Sequence, residues 1–262
     1  IGPASDYLTF AAAVSDLMSC GVDPAATYVT FTANNGTYNE QVTIGSFSNP
    51  NNVDVTFQSN NGNQADVTLS YPSSASSTNN YTLQLNGTDH VVFKDMTIER
   101  TGTGIYAIVV NVSGDASYNL FRNIKFSGRT GSTMNDALVS STDNNTGNTG
   151  NMFDDCYFYN GWSGIDWRGA FGSLKSNITV QNSTFENYFI GISLHYVQGA
   201  IVTGNHLTNS TTYDAVSNYG IFGYYANNGL TISKNYFKYN NSAGNYGIAL
   251  SNCSGTASCV GD

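Results

Sequence analysis

One short phrase returns six times along this chain. An apolar residue is followed two positions later, in most copies, by Asn or Asp, and five positions later by a second apolar residue. The copies start at Phe93, Phe121, Phe153, Val180, Val202 and Ile232, which lie 28, 32, 27, 22 and 30 residues apart. A second phrase interleaves with it: Gly104-Ile105, Gly164-Ile165, Gly191-Ile192, Gly220-Ile221 and Gly247-Ile248. Each glycine reads as a turn and each isoleucine opens a short alternating segment, such as Ile165-Asp166-Trp167-Arg168. A repeat of this length that holds two short strands and no helix cannot bury its apolar face alone. It must stack on the next copy, which predicts an all-β solenoid of parallel strands about 4.8 Å apart. Asn and Asp at the corner of each repeat would stack in a ladder there, because both tolerate left-handed backbone.

The segments 27–31 and 53–57 read as earlier, shorter coils, so stacked coils are expected over 27–258 of a single domain, 1–262. Residues 5–20 differ. Phe10, Val14 and Leu17 share one helical face, with Ser5 or Asp6 as N-cap and Gly21 as the stop. This predicts one amphipathic α-helix closing the N-terminal end of the stack, where strand edges would otherwise be open. No similar cap follows Ile248. That suggests a longer parent protein with further domains, or a loop closed by a Cys253–Cys259 disulfide.

Composition narrows the partners. Of 262 residues only 10% are charged while 40% are hydrophobic, so the chain folds and its surface is built from Asn, Ser, Thr, Gly and Tyr. A net charge of −9 with nine Lys and Arg argues against nucleic acid and against anionic membrane surfaces, and no apolar run is long enough to span a bilayer.

With these residues in view, the chain resembles the right-handed parallel β-helix superfamily. Its opening, Asp6 to Val14 followed by Asn35-Gly36-Thr37-Tyr38-Asn39-Glu40, is similar to the start of secreted or cell-surface β-helix proteins of the Bacteroidetes type. The resemblance implies a secreted or cell-surface location. It leaves activity open, since the superfamily includes pectin lyases, polygalacturonases, alginate epimerases, tailspikes and adhesins. A hydrolase of this fold would carry Gly-His-Gly and Arg-x-Lys. Here His90, His195 and His206 lack those flanks, and Asp155 of the Asp154-Asp155 pair falls on the repeat's corner position.

The side chains that change from copy to copy lie on the Gly-Ile strands. With the isoleucines inward, Asp166 and Arg168, then Ser193 and His195, then Phe222 and Tyr224 point outward on successive coils, with Trp162, Tyr188 and Tyr196 at the edges. Aromatic faces beside a carboxylate, a guanidinium and an imidazole suit a sugar. They also suit an acid/base site, with Asp166 and His195 titrating and Arg168 holding an anionic sugar. The plainer alternative is a surface Asp166–Arg168 ion pair worth about 0–1 kcal/mol. The absent hydrolase motifs favour a non-catalytic module for adhesion or glycan binding. A polysaccharide lyase or glycoside hydrolase acting on an anionic polysaccharide is the rival, and a structural spacer the third reading. No cofactor is implied beyond a weak calcium-loop spacing at Asp143 and Asn145.

Overall fold

The computed structural model describes residues 1–78, 80–129, 134–144, 146–209, 218–239, 244–253 and the backbone of 258–260. Its strands pair in parallel to form three columns, three strands to a coil, and the expected solenoid results. The first column begins at Val29–Ala33 and ends at Ser258–Val260. The second begins at Gly36–Asn39, and the third at Val42–Gly45. Long strands such as Tyr157–Arg168 and Thr184–Gln198 bend around a corner and serve two columns.

Register explains the repeat. In the first column Phe31, Phe57, Phe93, Phe121, Phe153, Val180, Val202 and Ile232 stack inward, one per coil. Their rings pack nearly flat, with centroids 4.8 Å apart for Phe31–Phe57 and 5.1 Å for Phe121–Phe153. The second apolar position forms another inward stack in which Phe158 and Phe185 lie 4.2 Å apart. Burying each ring contributes about 1.5–3 kcal/mol, and each stacked pair adds about 0.5–1.5 kcal/mol.

The corner position is the repeat's third residue, and every copy there has left-handed backbone: Asp95, Asn123, Asp155, Asn182, Gly204 and Lys234, at φ between 50° and 67°. Asn and Asp pay least for this conformation among residues with a side chain. They also bond between coils, as when Asn123 Nδ2 donates to Asp95 Oδ1 at 2.7 Å. The residue after the corner points inward. Met96, Ile124 and Cys156 make that column apolar, and burial pushes the Cys156 thiol pKa up to about 12. It then turns polar: Asn205 Oδ1 accepts from Ser183 N at 3.0 Å, and Asn205 Nδ2 donates to Asn235 Oδ1 at 2.9 Å.

The helix α1 spans Phe10–Cys20 and begins later than expected. Thr9, not Ser5 or Asp6, is the N-cap, its hydroxyl accepting from Ala12 N at 3.1 Å. Glu40 reaches in from the first coil to accept from Phe10 N at 3.0 Å and Ala11 N at 2.8 Å, placing a carboxylate on the positive end of the helix. Ser5 is diverted into a contact with Asn34. Phe10 meets Tyr38 and Phe57 at 5.0 and 6.3 Å, so α1 covers the open end of the phenylalanine stack.

Candidate functional site

The third column carries Val42, Leu83, Val110, Val139, Ile165, Ile192, Ile221 and Ile248 inward, in register. The glycines before the last four serve packing rather than a turn, since none has positive φ. A Cβ at Gly164 would lie 2.5 Å from the Phe185 ring, and one at Gly220 2.5 Å from Phe237. Gly104-Ile105 does not belong to the set: Ile105 is exposed on a loop, and Val110 takes its place in the column.

On the outward side Asp166, Ser193 and Phe222 occupy one register line, and Arg168, His195 and Tyr224 the next. The lines are sunken. Asp166 is only 3% exposed and Ser193 is fully buried, with a hydroxyl that has no hydrogen-bond partner among the described residues. Arg168 Nε donates to Asp166 Oδ1 at 2.6 Å, with the Asp166 side chain 5% exposed. The pair is therefore not the exposed surface contact considered from sequence, and loss of Arg168 strands a buried carboxylate. His195 packs between Phe222 and Tyr224, with ring centroids at 5.3 and 5.7 Å. Burial, and secondarily the Arg168 charge, depresses its pKa, against an opposing pull from Asp166. The imidazole is thus neutral at physiological pH and can donate on one nitrogen while accepting on the other.

The rings continue well beyond His195. Trp162 stacks on Phe189 at 4.1 Å, Phe189 meets Tyr219 at 6.2 Å, and Tyr219 meets Phe222 at 5.5 Å. On the other side Tyr224 contacts Tyr196 at 5.7 Å, and Tyr196 contacts Phe171 at 6.4 Å. The result is an unbroken strip of rings along the outward side of the third column, with Asp166 and Arg168 at its margin. Phe189, Tyr219 and Phe171 were missed because they stand outside the Gly-Ile tetrads. An aromatic residue at the matching place in successive repeats was the available signal for the first two.

Other expected residues are placed elsewhere. Tyr188 is 2% exposed and belongs to the interior, where burial raises its hydroxyl pKa, so it lines no outer edge. Asp143 is no open cation ligand. Its Oδ1 accepts from Lys175 Nζ at 2.5 Å and Asn148 Nδ2 at 2.8 Å, and its Oδ2 accepts from Gly114 N at 2.9 Å. The fully buried Lys175 ammonium supplies the positive charge that a bound cation would. Asn145 lies outside the described residues. Cys253 is a free thiol, and the side chain of Cys259, its expected partner, lies outside the described residues.

A family model described as "right handed beta helix region" matches residues 81–260, and the chain belongs to that family. No curated protein matches the sequence. Among solved structures the chain is similar to the pectin methylesterase from carrot, at TM-score 0.56 and 11% identity over 98% of this chain and 86% of that one. It is similar to PfbA, a surface adhesin of Streptococcus pneumoniae, at TM-score 0.55 and 11% identity over 95% and 75%. It also resembles pectin methylesterase PemA from Erwinia chrysanthemi, at TM-score 0.50 and 12% identity, covering 92% of this chain and spanning 64% of that enzyme's length. At these identities the likeness is one of fold.

Proposed function

We propose that this right-handed β-helix is an extracellular module for glycan binding or adhesion, and that its site is the outward side of the third column. The observation that carries the reading is the unbroken strip of rings from Trp162 to Phe171, passing through His195. Ring faces stack on the apolar faces of sugars, while tyrosine hydroxyls and a neutral imidazole supply directional hydrogen bonds. A polar surface with 10% charged residues fits an extracellular setting, and no helix among the described residues is long and apolar enough to cross a membrane. A surface adhesin is among the proteins that share the fold.

A catalytic reading has one observation in its favour, the neighbourhood of Asp166, Arg168 and His195. Against it, an acid or base must touch its substrate. Asp166 is 3% exposed and tied to Arg168. A glycan array combined with reducing-end and ester-release assays separates the readings. Binding without product, weakened in Tyr224→Ala, supports a binding module. Product that disappears in His195→Ala with the fold intact would establish an enzyme instead. No binding and no product would leave a spacer.

A further inference from the structure

We infer that the third column carries a second carbohydrate subsite, on the N-terminal side of the ring strip, and that this subsite takes an uncharged sugar chain. The inference rests on the glycan-binding reading above and uses different residues. A cavity of about 360 Å³ opens over the strands Leu83–Asn86, Val110–Ser113 and Val139–Ser141, lined among others by Tyr81, Gln84, Tyr106, Asn111, Asn135 and Ser140. Gln84, Asn111, Ser140 and Asp166 are in register on consecutive coils, so the cavity leads toward the ion pair at the margin of the ring strip. Each coil advances about 4.8 Å, close to the length of one pyranose unit. One polar side chain per coil therefore matches one sugar per coil.

Two of the polar side chains on that line are unspent, while Gln84 donates to Ser113 Oγ. Neither the Asn111 carboxamide nor the Ser140 hydroxyl has a hydrogen-bond partner among the described residues, although Ser140 is only 3% exposed. Both residues line the cavity, where a sugar hydroxyl can bond to their side chains. The walls are already held in place. Tyr106 exchanges two backbone hydrogen bonds with Ser74, each 3.1 Å. Asn80 Oδ1 accepts from Ile108 N at 3.1 Å, and the Tyr81 hydroxyl pairs with Thr43 Oγ1 at 2.8 Å. A site fixed before binding loses less entropy when it is occupied.

The lining also selects by charge, because no residue in it is Asp, Glu, Lys or Arg. Neither nearby arginine lines the cavity. Arg129 Nε donates to Asp136 Oδ1 at 2.9 Å. Arg100, 2% exposed, donates through Nη1 to the Tyr81 carbonyl and does not line the cavity, although its Nε and Nη2 have no partner among the described residues. A sugar carboxylate entering here would lose water and gain no cation, an unfavourable exchange.

The test is calorimetric titration of the full chain with neutral gluco-, xylo-, manno- and galacto-oligosaccharides and with oligogalacturonate. Asn111→Leu, Tyr106→Ala and Tyr224→Ala are titrated alongside, each first checked for an unchanged melting temperature. A neutral oligosaccharide should bind with little dependence on salt, and Asn111→Leu or Tyr106→Ala should weaken it about tenfold. Preference for oligogalacturonate, with affinity falling as salt rises, would overturn the charge selection. Binding that only Tyr224→Ala weakens would overturn the second subsite and leave the ring strip standing. No binding by any sugar would overturn the glycan reading itself.

Discussion

The first and third columns of the β-helix obey the same rule inside and different rules outside. Inward, both stack one large apolar side chain per coil, from Phe31 to Ile232 in one and from Val42 to Ile248 in the other. Outward, one register line of the first column runs Gln58, Lys94, Arg122, Asp154, Gln181, Thr203 and Ser233, polar or charged and without a ring, with Arg122 and Gln181 donating to Asp154 and Thr203 bonding Ser233. The third presents Gln84, Asn111, Ser140, Asp166, Ser193 and Phe222, a new chemistry on nearly every coil. Stacking fixes the interior and the corners, because each coil must match its neighbours there. Both outward lines are released from that constraint, but of the two only the third column's outward side carries a strip of rings among the described residues, and that is where we place recognition.

The contrast can be broken most forcefully by truncating aromatic rings on opposite sides of the wall. Phe121→Ala should cost about 3–5 kcal/mol in urea unfolding, since its neighbours above and below hold the cavity open. Phe222→Ala on the outward line should cost about 1 kcal/mol or less, and equal losses would erase the distinction. Next comes Arg168→Ala, which strands Asp166 and should cost about 3 kcal/mol, the low end for a buried pair because the guanidinium is partly exposed. A loss below about 1 kcal/mol would return the pair to the ordinary surface class. A smaller effect is expected at the corner. Asp155→Val should destabilise by about 1–2 kcal/mol and Asp155→Gly by a few tenths or not at all, because only the left-handed backbone is at stake. If Asp155→Gly instead abolished a measured activity, the corner would have to be counted as part of a site.

The smallest effect is one of pH. The fold depresses the His195 pKa, so as pH falls the unfolded chain takes up the proton first. The stability associated with neutral His195 is intact above about pH 6.5 and is lost as pH drops through the folded value. Melting temperatures from pH 8 to pH 5 should therefore fall less in His195→Gln than in the parent. An identical slope would place the imidazole in water.

Much of the fold was legible from spacing alone, because a solenoid repeats its constraints. The corner position, the phenylalanine stack and α1 all follow from the period and from which residues tolerate it. What was not legible depends on depth and on bends. Alternation sets Asp166 apart from the buried Ile165 and Trp167 but says nothing about how deeply Asp166 and Ser193 sit. Tyr188 turned inward because the strand Thr184–Gln198 bends at Asn187, whose left-handed φ of 61° resets the alternation. The role of Glu40 on α1 joins residues 30 apart and leaves no local pattern. The cavity over Gln84, Asn111 and Ser140 was within reach, since Leu83-Gln84-Leu85 and Val110-Asn111-Val112 align with Ile165-Asp166-Trp167 once the coils are counted.

The most direct test sets one column against the other in a single binding experiment. The parent protein, a third-column variant carrying His195→Ala and Tyr224→Ala, and a first-column variant carrying Thr203→Ala and Ser233→Ala would be applied to the same glycan array, each with its melting temperature recorded. The third-column variant should lose its signal by about tenfold or more while the first-column variant matches the parent. Loss in the first-column variant, or full retention in the third-column one, would contradict the assignment of recognition to the third column.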